Sequence, residues 1–114
     1  LVVQGHFGDI LSAAAVVVGL AGTGNEQAAG LGKPVVAFPG RGAQYTRRFA
    51  ADQKRLLGEA LSLVEPDPVR VALEVRAILD DPARYARMAE EGRRRMGPPG
   101  GLDRMADKIE ALIA

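Results

Sequence analysis

The chain has 114 residues, a formal net charge of +1 and a hydrophobic fraction of 47%. This length is enough for one domain with a buried core, because a domain of this size hides roughly two-thirds of the surface of its unfolded chain. Cysteine is absent and His6 is the single histidine, which excludes disulfides, thiolate metal sites and histidine-rich metal centres. The small net charge gives no long-range field that would attract nucleic acid. We therefore expect one domain, residues 1–114, without a metal, a bound cofactor or a nucleic-acid partner.

No run in the sequence approaches the roughly 20 apolar residues of a membrane-spanning helix. Leu1–Gln4 lacks the basic leader of a signal peptide, and the chain starts at Leu1 rather than at a methionine. We expect a piece of a longer cytoplasmic protein. This expectation leaves open a peripheral contact between the full-length protein and the inner membrane.

Strand-like and helix-like segments alternate through the first two-thirds of the chain. Four short apolar runs predict strands at Leu1–Gln4, Ala15–Val18, Val35–Phe38 and Leu61–Val64. The segments between them predict helices at Asp9–Ala14, Asn25–Leu31 and Tyr45–Leu57. Alternation of this kind is typical of a parallel α/β sheet in which consecutive strands lie side by side. We expect Val2, Val17, Val36 and Leu63 in adjacent parallel strands, in that order.

Helices dominate the rest of the chain. Asp67-Pro68 and Asp81-Pro82 each place a capping residue before a proline at the first helical position. They predict helices at Pro68–Leu79 and Pro82–Met96, and a third amphipathic helix follows the break at Gly97–Gly101. The predicted fold is a Rossmann-like parallel sheet of about four strands flanked by helices, with a helical C-terminal segment.

A glycine-rich turn joins the second predicted strand to its helix. It contains Gly19, Gly22, Thr23 and Gly24, and Thr23 could be the N-cap of the helix, a role that can coexist with ligand binding. Glycine permits backbone conformations that other residues resist and lets a ligand approach closely. The free amides and the positive dipole end of a helix that starts there favour an anion. The turn therefore predicts a ligand site at the carboxyl end of the strand.

The same stretch resembles a known family. The strand AVVVG, the turn AGTGNE, the helix QAAGLG and the strand KPVVAFP are similar to the nucleotide-sugar site in the C-terminal half of two-domain glycosyltransferases. Among these, lipid-A-disaccharide synthase and its related proteins are the nearest, with similarity also in FAADQKRLLG and RRRMGPPGGLDRMADKIEALI. The peptidoglycan N-acetylglucosaminyltransferase and UDP-N-acetylglucosamine 2-epimerase are more distant. The resemblance covers nearly the whole chain.

This resemblance implies a UDP-sugar as ligand and the N-terminal domain of the same protein as partner. In such enzymes the amides of the turn meet the pyrophosphate and a glutamate in the helix binds the ribose hydroxyls. Here these are Gly22, Thr23 and Gly24 for the phosphates and Glu26 for the ribose. Asn25 and Gln44 complete the candidate set. The catalytic residues of the family lie largely in the N-terminal domain, so none is assigned and the isolated chain is expected to be inactive.

Most candidates also have a structural interpretation. Glu26 could favour the first helical turn through the dipole, and the two glycines, Gly22 and Gly24, could serve only a tight turn. Asn25 is more typical of a polar residue in the first turn than of a ligand. Gln44 and Gln53 fit a solvated or helix-packing role better than contacts with the donor.

The sequence also leaves open the roles of the basic residues and of the histidine. Arg41, Arg47 and Arg48 could neutralise phosphate or form a solvated face. Arg93–Arg95 is typical of the exposed end of a helix, where the dipole favours cations. His6 follows the first predicted strand, and a lone histidine is more often structural.

Two functions from different classes follow. The first is the UDP-sugar-binding half of a glycosyltransferase that resembles lipid-A-disaccharide synthase. The second is a non-catalytic α/β module that binds a nucleotide or another protein. A dehydrogenase half fits less well, because the turn lacks a clean G-x-G-x-x-G and no acidic residue ends a strand about 20 residues further on.

Overall fold

The structure, a computed structural model, describes residues 1–114. Its strands are β1 (Val17–Val18), β2 (Val35–Ala37) and β3 (Leu61–Leu63). Its α-helices are α1 (Phe7–Ala13), α2 (Gly22–Gly30), α3 (Arg47–Leu57), α4 (Pro68–Leu79), α5 (Pro82–Met96) and α6 (Gly101–Ile113). A single 3-10 turn, Gly58–Ala60, leads from α3 into β3.

The strands form one parallel sheet in the order β1-β2-β3. In its register Val17 pairs with Val35, and Val35 pairs with Leu61 on the other side. The expected order of Val17, Val36 and Leu63 is confirmed. The expected α/β class, with flanking helices and a helical C-terminal segment, is also confirmed, although the sheet has three strands instead of about four.

The predicted first strand, Leu1–Gln4, is wrong. The segment pairs with no strand, and Val2 is 94% exposed. Its composition suits a strand, but a strand exists only where a neighbour takes up its backbone hydrogen bonds. Gly5, at a φ of 77°, turns the chain directly into α1 instead.

The central strand β2 is buried on both faces. Val35 packs in a cluster with residues of α1, α2 and α3, whereas Val36 packs with Ile78 of α4 and Met88 of α5. Successive side chains of a strand point to opposite faces, and helices cover both faces here. This explains why the sequence is continuously apolar at β2 rather than alternating.

Helix α1 differs from its prediction at its start. It begins at Phe7 rather than at Asp9, after the N-cap position at His6. Leu11 is buried, whereas Ile10 is 46% exposed and does not face the core. Leu11 is therefore the one buried residue of this short helix.

Three helices have the caps that their sequences predict or permit. The carboxylate of Asp67 accepts hydrogen bonds from two amides of the first turn of α4, at 2.8 and 3.2 Å. Asp81 accepts one from the first turn of α5 at 3.0 Å. The hydroxyl of Thr46 caps α3, which for that reason begins at Arg47 and not at Tyr45.

Helix α5 joins distant parts of the chain. Its Tyr85 hydroxyl donates to the carbonyl oxygen of Ala15, beside β1, at 2.7 Å. Further along, Gly92 lies against the backbone of Ala29 in α2, at a distance that leaves no room for a β-carbon. The glycine is therefore required by close helix packing and not by an unusual backbone conformation.

The basic end of α5 is exposed, as its sequence indicates, and it also makes contacts with neighbouring elements. The guanidinium of Arg95 donates to the carbonyl oxygens of Arg55 and Leu56 at 3.1 and 3.3 Å, at the C-terminus of α3. That of Arg93 lies over Gly32, which follows α2 at a φ of 73°. Two of the three arginines thus contact the ends of neighbouring helices, where carbonyl groups favour a cation.

Helix α6 has no buried residue. Its apolar side chains are exposed, with Leu102 at 82% and Leu112 at 85%. None of the helices combines the length and the hydrophobicity needed to cross a membrane.

Candidate functional site

The carboxyl edge of the sheet is the place where three helices begin. Because the strands are parallel, β1, β2 and β3 all end at this edge, and α2, α3 and α4 start just beyond it. The first amides of a helix have no acceptor within the helix, and its N-terminus carries a partial positive charge. Three such ends therefore surround one edge, as the βαβ pattern predicts.

Charged side chains add to this positive field. The first turns of α2, α3 and α4 contain no acidic residue. Arg47 and Arg48 begin α3, and Arg70 lies in the first turn of α4, although a helix N-terminus disfavours cations. Arg47 is paired with Glu65 at 3.1 Å, and this hydrogen bond holds the pKa of the Glu65 carboxyl below its usual range. Arg48 and Arg70 form no ion pair, but Arg70 lies near enough to Glu65 to lower its pKa further, and the Asp67 carboxylate caps α4 at the same edge. Arg48 is therefore the cation of these helix starts that has no carboxylate partner.

The turn between β1 and α2 exposes three free amides. The helix begins at Gly22 after Ala21, whose side chain offers no cap. The backbone N–H groups of Gly22, Thr23 and Gly24 donate to no acceptor in the chain, and the first bonded amide is that of Asn25, to Ala21. An uncapped helix start of this kind is a ready anion site.

The conformation of the turn decides two points that the sequence left open. Thr23 is not the N-cap, because it is already the second residue of α2. No glycine of the turn has a positive φ. The lack of room for a side chain explains the glycine at position 22 better, since a β-carbon there would lie 3.0 Å from Cζ of Phe49. At Gly24 the β-carbon would lie 3.4 Å from Cζ of Phe7, in a contact that is tight but closer to ordinary packing.

Asn25 is a buried residue and not a surface polar residue of the first turn. It is 1% exposed and its amide group Nδ2 donates to the carbonyl oxygen of Gly19 at 3.1 Å and to Oε1 of Gln53 at 2.9 Å. Its Oδ1 packs against Gly19 so closely that no β-carbon fits there. Asn25 therefore fixes the turn from inside, and it is not available to a ligand.

Gln53 completes this network from α3. It is 3% exposed, its Nε2 donates to the carbonyl oxygen of Gly22 at 2.8 Å, and its Oε1 accepts from the Tyr45 hydroxyl at 2.6 Å. Burial raises the pKa of Tyr45, which keeps this phenol a donor. The helix-packing interpretation of Gln53 is thus the one that the structure supports. Residues 28 positions apart meet here, and no local motif in the sequence marks their contact.

The remaining candidates lie around the turn without a partner in the chain. Glu26 is half-buried in the second turn of α2 and forms no hydrogen bond or ion pair. It lies beyond the first turn, so stabilisation through the dipole is a weaker explanation for it. Gln44 is exposed in the loop before α3. His6 lies outside this group and faces Asp9 at 3.6 Å.

Two grooves border the edge. A polar one of about 550 Å³ runs between the ends of β2 and β3 and contains Arg47, Glu65 and Arg70. An apolar one of about 1030 Å³ lies beside Val18 of β1 and along α4. No group of histidine and carboxylate side chains in the structure could hold a metal ion.

Comparison with known proteins gives one related enzyme. The chain is 34% identical over 103 residues to the UDP-N-acetylglucosamine–N-acetylmuramyl-(pentapeptide) pyrophosphoryl-undecaprenol N-acetylglucosamine transferase of Rhodopseudomonas palustris. The alignment covers 87% of this chain and 28% of that enzyme. No protein-family model matches the chain, and no solved structure matches it at a significant level.

This similarity supports the general class that the sequence resembles, a glycosyltransferase half-domain with a Rossmann-like fold. It is a similarity to an N-acetylglucosaminyltransferase and not to lipid-A-disaccharide synthase. The chain spans little more than a quarter of the length of this relative.

Proposed function

We propose that this chain binds the nucleotide of a UDP-sugar and belongs to a glycosyltransferase that transfers a hexosyl group. The observation that carries the proposal is the uncapped start of α2, where the amides of Gly22, Thr23 and Gly24 have no acceptor. A diphosphate placed there would accept these N–H groups and meet the positive dipole end.

The positive charge of the carboxyl edge supports the same ligand. Arg48 is a cation without an ion pair at the start of α3, where it is disfavoured by roughly 0.3–1 kcal/mol unless an anion compensates for it. An anionic ligand would supply that compensation. We propose that the edge binds a di-anionic or more highly charged group.

Glu26 is the proposed ribose ligand. It is one turn beyond the free amides and has no partner in the chain, so both carboxylate oxygens can accept hydrogen bonds from the two hydroxyls of a ribose. Gln44, exposed in the next loop at the same edge, is a further proposed contact with the donor.

The name of the relative indicates which donor to test first. That enzyme is named for UDP-N-acetylglucosamine, so we propose UDP-N-acetylglucosamine as the first donor to test. Because the sequence motifs also resemble those of lipid-A-disaccharide synthase-related proteins, we propose a lipid-linked sugar among the acceptors to test. We also propose that an N-terminal domain of the same protein completes the active cleft, and that the protein works in the cytoplasm beside the inner membrane.

Calorimetric titration tests the nucleotide proposal directly. The chain is titrated with UDP, UMP, uridine and inorganic pyrophosphate at low and high salt. We expect UDP to bind most tightly, uridine least, and the affinity for UDP to fall with salt because the edge is cationic. Equal affinities for UDP and uridine would contradict a diphosphate site at α2.

A further inference from the structure

We propose that Gln53 is a positioning residue for the ligand site, because its side chain, with those of Asn25 and Tyr45, sets the orientation of the free amides at the start of α2. This inference rests on the proposed nucleotide function. It gives three buried side chains a role in ligand binding, in addition to their packing in the core.

The hydrogen bonds reach both ends of the turn. Gln53 donates to the carbonyl oxygen of Gly22, in the first turn of α2, at 2.8 Å. Asn25 donates to the carbonyl oxygen of Gly19, at the end of β1, at 3.1 Å. The backbone from Gly19 to Gly22 is therefore held at each end by an amide group, and the two amide groups are joined at 2.9 Å.

Packing restricts the same backbone from outside. A β-carbon at Gly22 would lie 3.0 Å from Phe49 and 4.0 Å from Nε2 of Gln53. Gly19 has no space for a β-carbon against Asn25. The start of α2 thus rests directly on α3, and a small shift of the Gln53 side chain has to move the backbone that carries the free amides.

The amide nitrogens of Asn25 and Gln53, Oε1 of Gln53 and the Tyr45 hydroxyl all have hydrogen-bond partners. The three side chains are between 1% and 3% exposed, and no buried side-chain nitrogen or oxygen in the structure lacks a hydrogen bond. Hydrogen bonds depend on direction, whereas an apolar side chain of similar volume packs in several orientations. A polar network at this position therefore specifies one geometry for the turn, which is what a ligand held by backbone amides requires.

Three variants separate positioning from stability. Gln53→Met removes the bonds to Gly22, Asn25 and Tyr45 with little change in length. Tyr45→Phe removes one hydroxyl and leaves the bond to Gly22. Ile78→Val is the matched control, because Ile78 is buried in the cluster on the opposite face of the sheet and the truncation costs roughly 0.5–1.5 kcal/mol.

The readouts are the amide chemical shifts of Gly22, Thr23 and Gly24 in the unliganded 114-residue chain, the affinity for UDP, and the melting temperature. Gln53→Met should move these three shifts and weaken UDP by about tenfold or more, as expected for loss of an ordered binding geometry. Tyr45→Phe should move the shifts in the same direction by less. Ile78→Val should change neither the three amide shifts nor the affinity for UDP, whatever its effect on the melting temperature.

Two results overturn the inference. One is that Gln53→Met and Ile78→Val bind UDP equally at comparable melting temperatures. The other is that Tyr45→Phe leaves the three shifts unchanged, and this result decides the matter alone if Gln53→Met does not fold. If the wild-type chain binds no UDP, the nucleotide proposal fails, while the chemical shifts still report whether Gln53 positions the turn.

Discussion

The α-carbon of Gly92 in α5 lies directly against the carbonyl oxygen of Ala29 in α2, and a methyl group on the glycine has no space between the two backbones. Alanine at this position must push the helices apart, and overpacking of this kind costs roughly 1–3 kcal/mol. We expect Gly92→Ala to lower the free energy of unfolding by that amount in urea denaturation.

The control for this prediction is Gly8→Ala. Gly8 is also helical, in α1, but a β-carbon there meets nothing within 4 Å. Alanine in an open helical position gains roughly 0.5–1 kcal/mol over glycine. The two substitutions should therefore have opposite signs, and a stabilising Gly92→Ala would show that α2 and α5 are further apart than described.

Glu26→Ala tests the ribose contact. Loss of hydrogen bonds to a charged group costs roughly 1.5–3 kcal/mol, so the affinity for UDP should fall about tenfold to a hundredfold. The affinity for inorganic pyrophosphate should stay the same, because the free amides are unchanged. Glu90→Ala, which removes an exposed carboxylate of α5, is the control for the change in net charge. Unchanged UDP affinity in Glu26→Ala, measured by calorimetry, would make Glu26 a structural residue.

Glu91 makes the stability of the fold depend on pH in acid. It accepts hydrogen bonds from Arg94 and Arg95, which lower its pKa from 4.5 to about 2. The unfolded chain therefore binds the proton more tightly than the folded chain, so the contribution of Glu91 is complete above pH 4.5 and is lost as the pH falls through about 2.

The measurement compares wild type with Glu91→Gln by urea denaturation from pH 7 to pH 2. The difference in unfolding free energy should be constant down to about the ordinary glutamate pKa and should shrink below it. If the difference in unfolding free energy between wild type and Glu91→Gln did not vary with pH, the negative charge of Glu91 would not be the source of its contribution to stability.

The chain alone should catalyse no glycosyl transfer. Transfer needs a base, an acceptor surface and a donor held in one geometry, in a cleft that excludes water. At the carboxyl edge Glu65 is paired with Arg47, and Glu26 is assigned to the ribose. The test is release of UDP from UDP-N-acetylglucosamine and other UDP-sugars, with lipid acceptors, by this chain and by a chain extended at its N-terminus. Turnover by the 114-residue chain would place the catalytic groups within it.

Local sequence signals predicted much of the fold. Asp67 and Asp81, each before a proline, marked the starts of α4 and α5 because capping and proline geometry act within one turn. The apolar run Val35–Phe38 predicted a strand, because β-branched and apolar composition is also a local signal. Leu1–Gln4 failed, because a strand also needs a neighbour, which its own composition does not reveal.

The sequence predicted where the free backbone amides of the candidate site lie, but it did not predict the side-chain contacts that surround them. The glycine turn indicated where amides would be free, and the structure has them free at Gly22 to Gly24. It did not indicate that Asn25 turns inward to meet Gln53, since that contact depends on how α2 and α3 pack. The resemblance to glycosyltransferases gave roles to the turn and to Glu26, and these roles remain to be tested by the titrations above.

Helix α5 also constrains how the protein folds during its synthesis. It contacts Ala15, Ala29 and Leu56, which are separated from it by roughly 40 to 70 residues of chain. Until residues 82–96 have left the ribosome, α5 cannot pack on α2 and on the end of α3, and these surfaces stay exposed to solvent. This part of the nascent chain therefore carries an incomplete core until α5 emerges, and we expect the fold to close late, in a single step, at that point.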